Sequence, residues 1–145
     1  MGLSDIWEKH VTEKNRKIKA VIGKTALDGH WRGVQAVATA LRDAGMEVVY
    51  LGASTAEGIV KVALQEDADV IGLNIGASYE QVAELIRLLG RNDMQDLLLI
   101  VGGVIPLTDV PKLEKMGVHG VFPPGSKLDD IVRFIQGHSR VVSGN

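Results

Sequence analysis

The 145-residue chain contains no cysteine. Thiolate metal sites, thiol catalysis and a disulfide-stapled scaffold are thereby excluded, while a reducing compartment suits it. An excess of one charge is also missing: 16 basic and 18 acidic residues leave a formal charge of -2. Nothing in that balance draws the whole molecule to nucleic acid or an anionic membrane. Apolar runs are short, and no window approaches the ~18 uninterrupted apolar residues of a membrane span. The opening stretch, MGLSDIWEKHVTEKNRKIKA, is too charged for the apolar core of a signal peptide. A cytoplasmic protein with neither membrane nor nucleic acid as partner is expected. Internal repeats and low-complexity segments are absent.

What is present is a composition of 46% apolar and 23% charged residues, which fits one globular domain with a real core. A domain of this size buries roughly 70% of the surface its unfolded chain exposes and folds without disulfides. We place that domain at residues 17–140. A polar N-terminal extension, 1–16, precedes it and a tail, 141–145, follows. The extension carries Leu3, Trp7 and Val11 at i+4 steps, suited to a helix packed on its own domain or docked on another subunit.

Short apolar runs alternate with helical patterns. IKAVIG (18–23), EVVYLG (47–52), DVIGLN (69–74), LLLIVG (97–102) and GVFP (120–123) are strand candidates, several of them apolar enough to be buried on both faces. Between them, Val34, Val37, Ala38 and Leu41 form one helical stripe, Val82, Leu85, Ile86 and Leu89 a second, and Leu128, Ile131, Val132 and Ile135 a third. Weaker helices are expected near 55–66 and 108–116. Gly45 and Gly117 suit left-handed helix ends, and Ser54 or Thr55, Ser78 and Ser126 suit helix starts. Asp129 and Asp130 suit the dipole of a helix's first turn and need no further role. Five βα units with right-handed crossovers predict an α/β fold. The expected form is a flavodoxin-like (Rossmann-like) doubly wound sheet of five parallel strands in the order 2-1-3-4-5.

Ligands of such sheets bind beyond the carboxyl ends of the strands, at the switch point between strands 1 and 3. Three loops meet there: GKTALDGHWRG, NIGAS and GGVIP. In the first, His30 can ligate a metal through one ring nitrogen if an acceptor holds the other, and Asp28 is spaced to be that acceptor. Lys24 can pair with Asp28 in turn. One histidine cannot hold a bare ion without other ligands, so a metal would arrive already chelated. Gly29, Gly33, Gly102 and Gly103 leave backbone room for a bulky cofactor. An ordinary βα turn with a surface histidine explains the same residues equally well, and periodicity does not separate the two readings.

DGHWRG matches the pattern DxHxxG. In register with the later VGGVIP and a five-unit α/β frame, it closely resembles the cobalamin-binding domain of adenosylcobalamin-dependent mutases, from about residue 17 to 138. GKTALDGHWRG, ALRDAGMEVVYLG and LLIVGGVIP are most similar to methylmalonyl-CoA mutase and to the separate small subunits of related acyl-CoA mutases, the 2-hydroxyisobutyryl-CoA type included. The resemblance implies that His30 is the lower axial cobalt ligand, replacing dimethylbenzimidazole. Asp28 would bond its other nitrogen and Lys24 would complete the relay. The displaced nucleotide tail would lie between strand 1 and the following helix, where Gly33 leaves room. Cofactor contacts are expected along Lys24, Asp28, Gly29, His30, Trp31, Arg32 and Gly33, at Gly102 and Gly103, and at Pro124 and Gly125 of the FPPG stretch. The family's SxL motif after strand 3 is replaced by Asn74, Ile75 and Gly76. Asn74 can still hydrogen-bond the tail, whereas Gly76 removes an apolar wall.

The resemblance further implies a radical isomerase whose acyl-CoA substrate is bound by a large (β/α)8-barrel subunit, with this chain as the small cobalamin-binding subunit, inactive alone. A non-catalytic corrinoid carrier or sensor is the alternative. Methyl-transfer corrinoid proteins share DxHxxG but carry a helical bundle ahead of it, for which 16 residues are too few. A receiver domain needs acids at the ends of strands 1 and 3, where Gly23 and Lys24, then Asn74 and Ile75, stand. A flavodoxin needs a Ser/Thr-rich phosphate cradle in the first loop, which GKTALDGHWRG lacks; separately, GASTAEG (52–58) lacks the GK[ST] ending of a phosphate loop. Trp31 suits either contact with the corrin or a partner, or an apolar cover over the loop. His10, His119 and His138 are read as surface or packing residues.

Overall fold

The structure, a computed structural model, describes residues 16–25 and 31–141. Its elements are β1 (Lys19–Lys24), α1 (Trp31–Asp43), β2 (Glu47–Ala53), α2 (Ala56–Glu66), β3 (Val70–Ile75), α3 (Glu80–Arg91), β4 (Leu98–Gly103), a 3-10 turn (Leu107–Asp109), α4 (Val110–Met116), β5 (Gly120–Phe122) and α5 (Leu128–His138). All pairings are parallel and the strand order is β2-β1-β3-β4-β5, the flavodoxin-like arrangement expected. No helix among the described residues is long and apolar enough to cross a membrane.

Side chains alternate across a strand with a period of two, so the central strands supply two cores at once. Val21, Ile71, Leu73, Leu99 and Val101 face α2, α3 and α4. Ala20, Ile22, Val70, Leu98 and Ile100 face α1 and α5. This double burial is why those strands read as continuous apolar runs rather than alternating ones.

Several local expectations are refined. Gly45 and Gly117 take up the left-handed conformation, and Thr55 rather than Ser54 caps α2, its hydroxyl accepting from the Gly58 amide at 3.1 Å. Ser78 and Ser126 do not cap. Residue Tyr79 holds the cap position of α3, with the Ser78 hydroxyl reaching the Glu80 amide only at 3.4 Å. Lys127 precedes α5, while Ser126 turns back and donates to the Pro123 carbonyl at 2.7 Å. The helix expected near 108–116 divides into the 3-10 turn and α4, where Pro111 sits at the start and lacks the N–H an interior position needs. Asp129 and Asp130 lie in the first turn of α5, as expected. His119 Nδ1 accepts from the Leu99 amide at 2.9 Å, and the His138 ring stacks on Phe134 with centroids 4.1 Å apart. Leu3, Trp7, Val11 and His10 lie outside the described residues.

At the amino end of the sheet, Asp69 is fully buried directly before β3. Arg16 grips it with two bonds of 2.6 and 2.7 Å, Arg140 Nε adds one at 2.8 Å and the Lys19 amide one at 2.9 Å. Burial pushes its pKa up, but the hydrogen bonds from Arg16, Lys19 and Arg140 outweigh burial and hold it below the ordinary carboxylate value. Burial likewise opposes the charge of Arg140, and its bonds to Asp69 and Asp96 more than offset that, raising its pKa. Val141 is buried in the α1/α5 core just beyond.

A candidate cofactor groove

At the carboxyl end of the sheet, on the α1/α5 side, a groove of about 650 Å³ opens at the switch point. That volume is in the range of small-ligand sites. Its walls are apolar: Val34 and Val37 from α1, Ile22 and Ile100 from the sheet, Phe122 and Ile131 from β5 and α5. Gly72 forms part of the floor, since a Cβ there would come within 2.8 Å of Ile22 Cδ1. One rim is Asn74 to Ala77, the other Gly102 to Val104, and the far end is closed by Pro123, Pro124, Gly125 and Ser126.

Of the residues picked out in the sequence, the groove brings together Gly33, Asn74, Gly76, Gly102, Gly103, Pro124 and Gly125. Gly33 is exposed, and a Cβ built on it would meet no atom within 4 Å, so its missing side chain is open groove. Gly103 is glycine for another reason. Its φ is +127°, and a Cβ would collide with the Ile75 carbonyl oxygen and stand 2.7 Å from Asn74 Oδ1. Lys24 ends β1 with 1% of its surface exposed and is not part of the groove lining. Asp28, Gly29 and His30 lie outside the described residues, and of Trp31 and Arg32 only the backbone, opening α1, is described. Among the described residues no group of three or more His, Cys, Asp or Glu side chains is placed to hold a metal ion.

Sequence reading missed the apolar walls. Val34 and Ile131 carry a signal, because both stand on helical stripes and near the ends that meet the mouth. Gly72 and Ile100 carry none, because mid-strand residues look alike whether a helix or a groove covers them.

The mouth loops are braced to one another. The Thr25 amide donates to Asn74 O at 3.1 Å and the Ser54 amide to Lys24 O at 2.9 Å. Gln81 Oε1 accepts from the Ala56 amide at 3.1 Å, joining the starts of α2 and α3. The Tyr79 hydroxyl donates to Asp109 Oδ2 at 2.6 Å, with Lys112 Nζ 5.5 Å from the ring centroid. That bond to Asp109, then burial, then the carboxylate's charge raise the Tyr79 pKa above its ordinary value. Val104 and Leu107, on the loop between these groups, are 66% and 76% exposed.

Residues 18–133 match the family model described as B12 binding domain. The chain is 41% identical over 121 residues to the 2-hydroxyisobutanoyl-CoA mutase small subunit of Aquincola tertiaricarbonis, spanning 79% of this chain and 89% of that one. With the pivalyl-CoA mutase small subunit of Xanthobacter autotrophicus it shares 37% over 122 residues, spanning 83% and 82%. The methylmalonyl-CoA mutase of Escherichia coli is 32% identical over 129 residues, 87% of this chain but 18% of that enzyme. Among solved structures, a cobalamin-binding protein from Desulfitobacterium hafniense superposes with a TM-score of 0.72 at 23% identity, over 84% of this chain and 59% of that one. The receiver domain of NarL from Mycobacterium tuberculosis gives 0.65 at 17% identity, over 84% and 95%. These two likenesses are of fold, and at the strand ends where a receiver carries its acids this chain has Gly23, Lys24, Asn74 and Ile75.

Proposed function

We propose, starting from the fact that this chain belongs to the B12 binding domain family, that it is the cobalamin-binding small subunit of an adenosylcobalamin-dependent acyl-CoA carbon-skeleton mutase. The observation that carries this reading is the groove of about 650 Å³ beside α1, opening at the switch point. Two relatives matched over more than four-fifths of their own length are both small subunits of acyl-CoA mutases, which supports the subunit role.

The residues present suit a detached nucleotide tail. A flat base needs apolar faces on either side, which Ile22, Val34, Ile100 and Phe122 offer, and Asn74 on the rim offers an amide for the polar part. Gly33 leaves the space its side chain would fill. In this reading His30 would hold the cobalt through one imidazole nitrogen. Asp28 would accept from the other, fixing the tautomer and strengthening the donor, and Lys24 would complete the relay. Supporting it, β1 ends at Lys24 beside the mouth, and Gly33 and Val34 of α1 line the groove wall. Trp31 and Arg32, with Gly29, fall on the same stretch.

When bound, adenosylcobalamin supplies a cobalt–carbon bond whose homolysis starts a radical rearrangement. This chain's residues hold the cofactor in register, and the apolar walls keep water from the buried tail. The substrate belongs to a larger partner, a (β/α)8-barrel subunit that binds the acyl-CoA ester, and this chain alone is inactive. Exposed Val104 and Leu107 beside the groove suit contact with that partner. A cytoplasmic setting fits the absence of cysteine.

The test is paramagnetic resonance of the protein loaded with Co(II) cobalamin, with and without isotopically labelled histidine nitrogen. Labelling should change the nitrogen splitting of the cobalt signal from a triplet to a doublet, and His30→Ala should abolish it. A splitting indifferent to the label would overturn His30 as ligand. Uptake of no cobalamin at all would overturn the function.

A further inference from the structure

Beyond the paired residues Asn74 with Gly102 and Ile75 with Gly103, the β3–β4 ladder ends and the two following loops separate. Those loops carry the outer parts of the two rims, Gly76 and Ala77 on one side and Val104 on the other. Tyr79 stands two residues past Ala77, the last of one rim, and Asp109 five residues past Val104, the last of the other. Their bond of 2.6 Å, a hydroxyl on a carboxylate, is short and strong of its kind. It joins the loops from the α3/α4 side of the sheet, opposite the groove. The tyrosine end is anchored: the Tyr79 ring packs against the core cluster that contains buried Ile105, and Lys112 stands over its face.

None of Tyr79, Asp109 and Lys112 lines the groove. Removing the bond therefore takes no contact away from a ligand; it alters only where the rims stand. We infer that the Tyr79–Asp109 bond is a positioning brace that sets the separation of the two rims and so the grip of the groove on cobalamin's nucleotide tail. The inference rests on the cobalamin reading above and goes further by naming residues outside the groove that tune it. A rim displaced by a fraction of an ångström loosens contact along a narrow groove, because packed atoms lose a large part of their attraction across so small a gap.

The experiment compares two ligands, cobalamin and cobinamide, the same corrin without the nucleotide. Tyr79→Phe removes the donor and Asp109→Ala the acceptor. Each should weaken cobalamin binding about tenfold, as packing along the loosened groove is lost, while cobinamide binding stays within about twofold. Asp109→Asn keeps an acceptor oxygen and should recover part of the loss. Unchanged cobalamin affinity in both Tyr79→Phe and Asp109→Ala would overturn the brace, as would equal losses for the two ligands, which mark general destabilisation. If the unsubstituted protein took up cobinamide and cobalamin alike without preference, the tail groove would have no function and the brace would fall with it. Failure of the unsubstituted protein to bind either ligand would instead overturn the reading on which the brace is built.

Discussion

Arg140 Nε lies 2.8 Å from Asp69 Oδ1 across 71 residues of sequence, tying the segment after the last helix to the foot of the central strand. Arg16, just before β1, closes on the same carboxylate from the other end of the chain. A buried carboxylate held by two guanidinium groups costs more to break than to form, because a lone partner leaves charge without compensation. Asp69→Asn should therefore lower the unfolding free energy by about 3 kcal/mol, read from urea denaturation.

The same carboxylate predicts an acid dependence. Its folded pKa lies below the ordinary value, so its contribution is complete above the unfolded pKa of about 3.9 and is lost as pH falls through the lower folded value. Stability measured from neutral pH downward should fall less steeply over that acid range in Asp69→Asn than in the unsubstituted protein. Parallel curves would count against the assignment.

Two glycines at the groove should respond in opposite ways to alanine. Gly103→Ala places a Cβ against the Ile75 carbonyl at a positive φ and should destabilise the protein by about 2 kcal/mol. Gly33→Ala meets no atom and lies within α1, so it should be neutral or gain about 0.5 kcal/mol from helix propensity. It should nevertheless weaken cobalamin binding, since its methyl group enters the groove. Thermal melts and titration with cobalamin distinguish the pair.

Leu107 is apolar, 76% exposed and not part of the groove lining. Leu107→Asp should weaken association with the large subunit by about tenfold, as loss of an anchoring contact does, with cobalamin affinity and melting temperature unchanged. Sedimentation of the mixed subunits provides the measurement, and an undiminished complex would remove Leu107 from the interface.

The elements were legible because each is dictated locally. Val21 and Ile22, or Ile71 and Gly72, sit in apolar runs that only a doubly covered strand can bury, and the stripes of Val34 to Leu41 and Leu128 to Ile135 admit only helices with one face inward. The order of five βα units then left few ways to arrange the sheet, since crossovers of one hand are strongly preferred. Of the motif residues, Gly33, Gly102 and Gly103 line the groove, whose width the pattern DGHWRG with VGGVIP does not state.

Capping was less legible, because serine and threonine hydroxyls have several backbone groups within reach. Ser126 bonds Pro123 instead of starting α5, and nothing in the sequence distinguishes that choice from a cap. By itself the sequence determined the strands, the helices, their order and the end of the sheet at which the groove opens. Only the tertiary structure decided the Asp69 clasp with Arg16 and Arg140, the bond from Tyr79 to Asp109 and the apolar walls that Gly72 and Ile100 share with Ile131. The physical reason is range: periodicity and turn chemistry act over a few residues, whereas a carboxylate 53 positions from one arginine and 71 from the other finds them only after the sheet has closed.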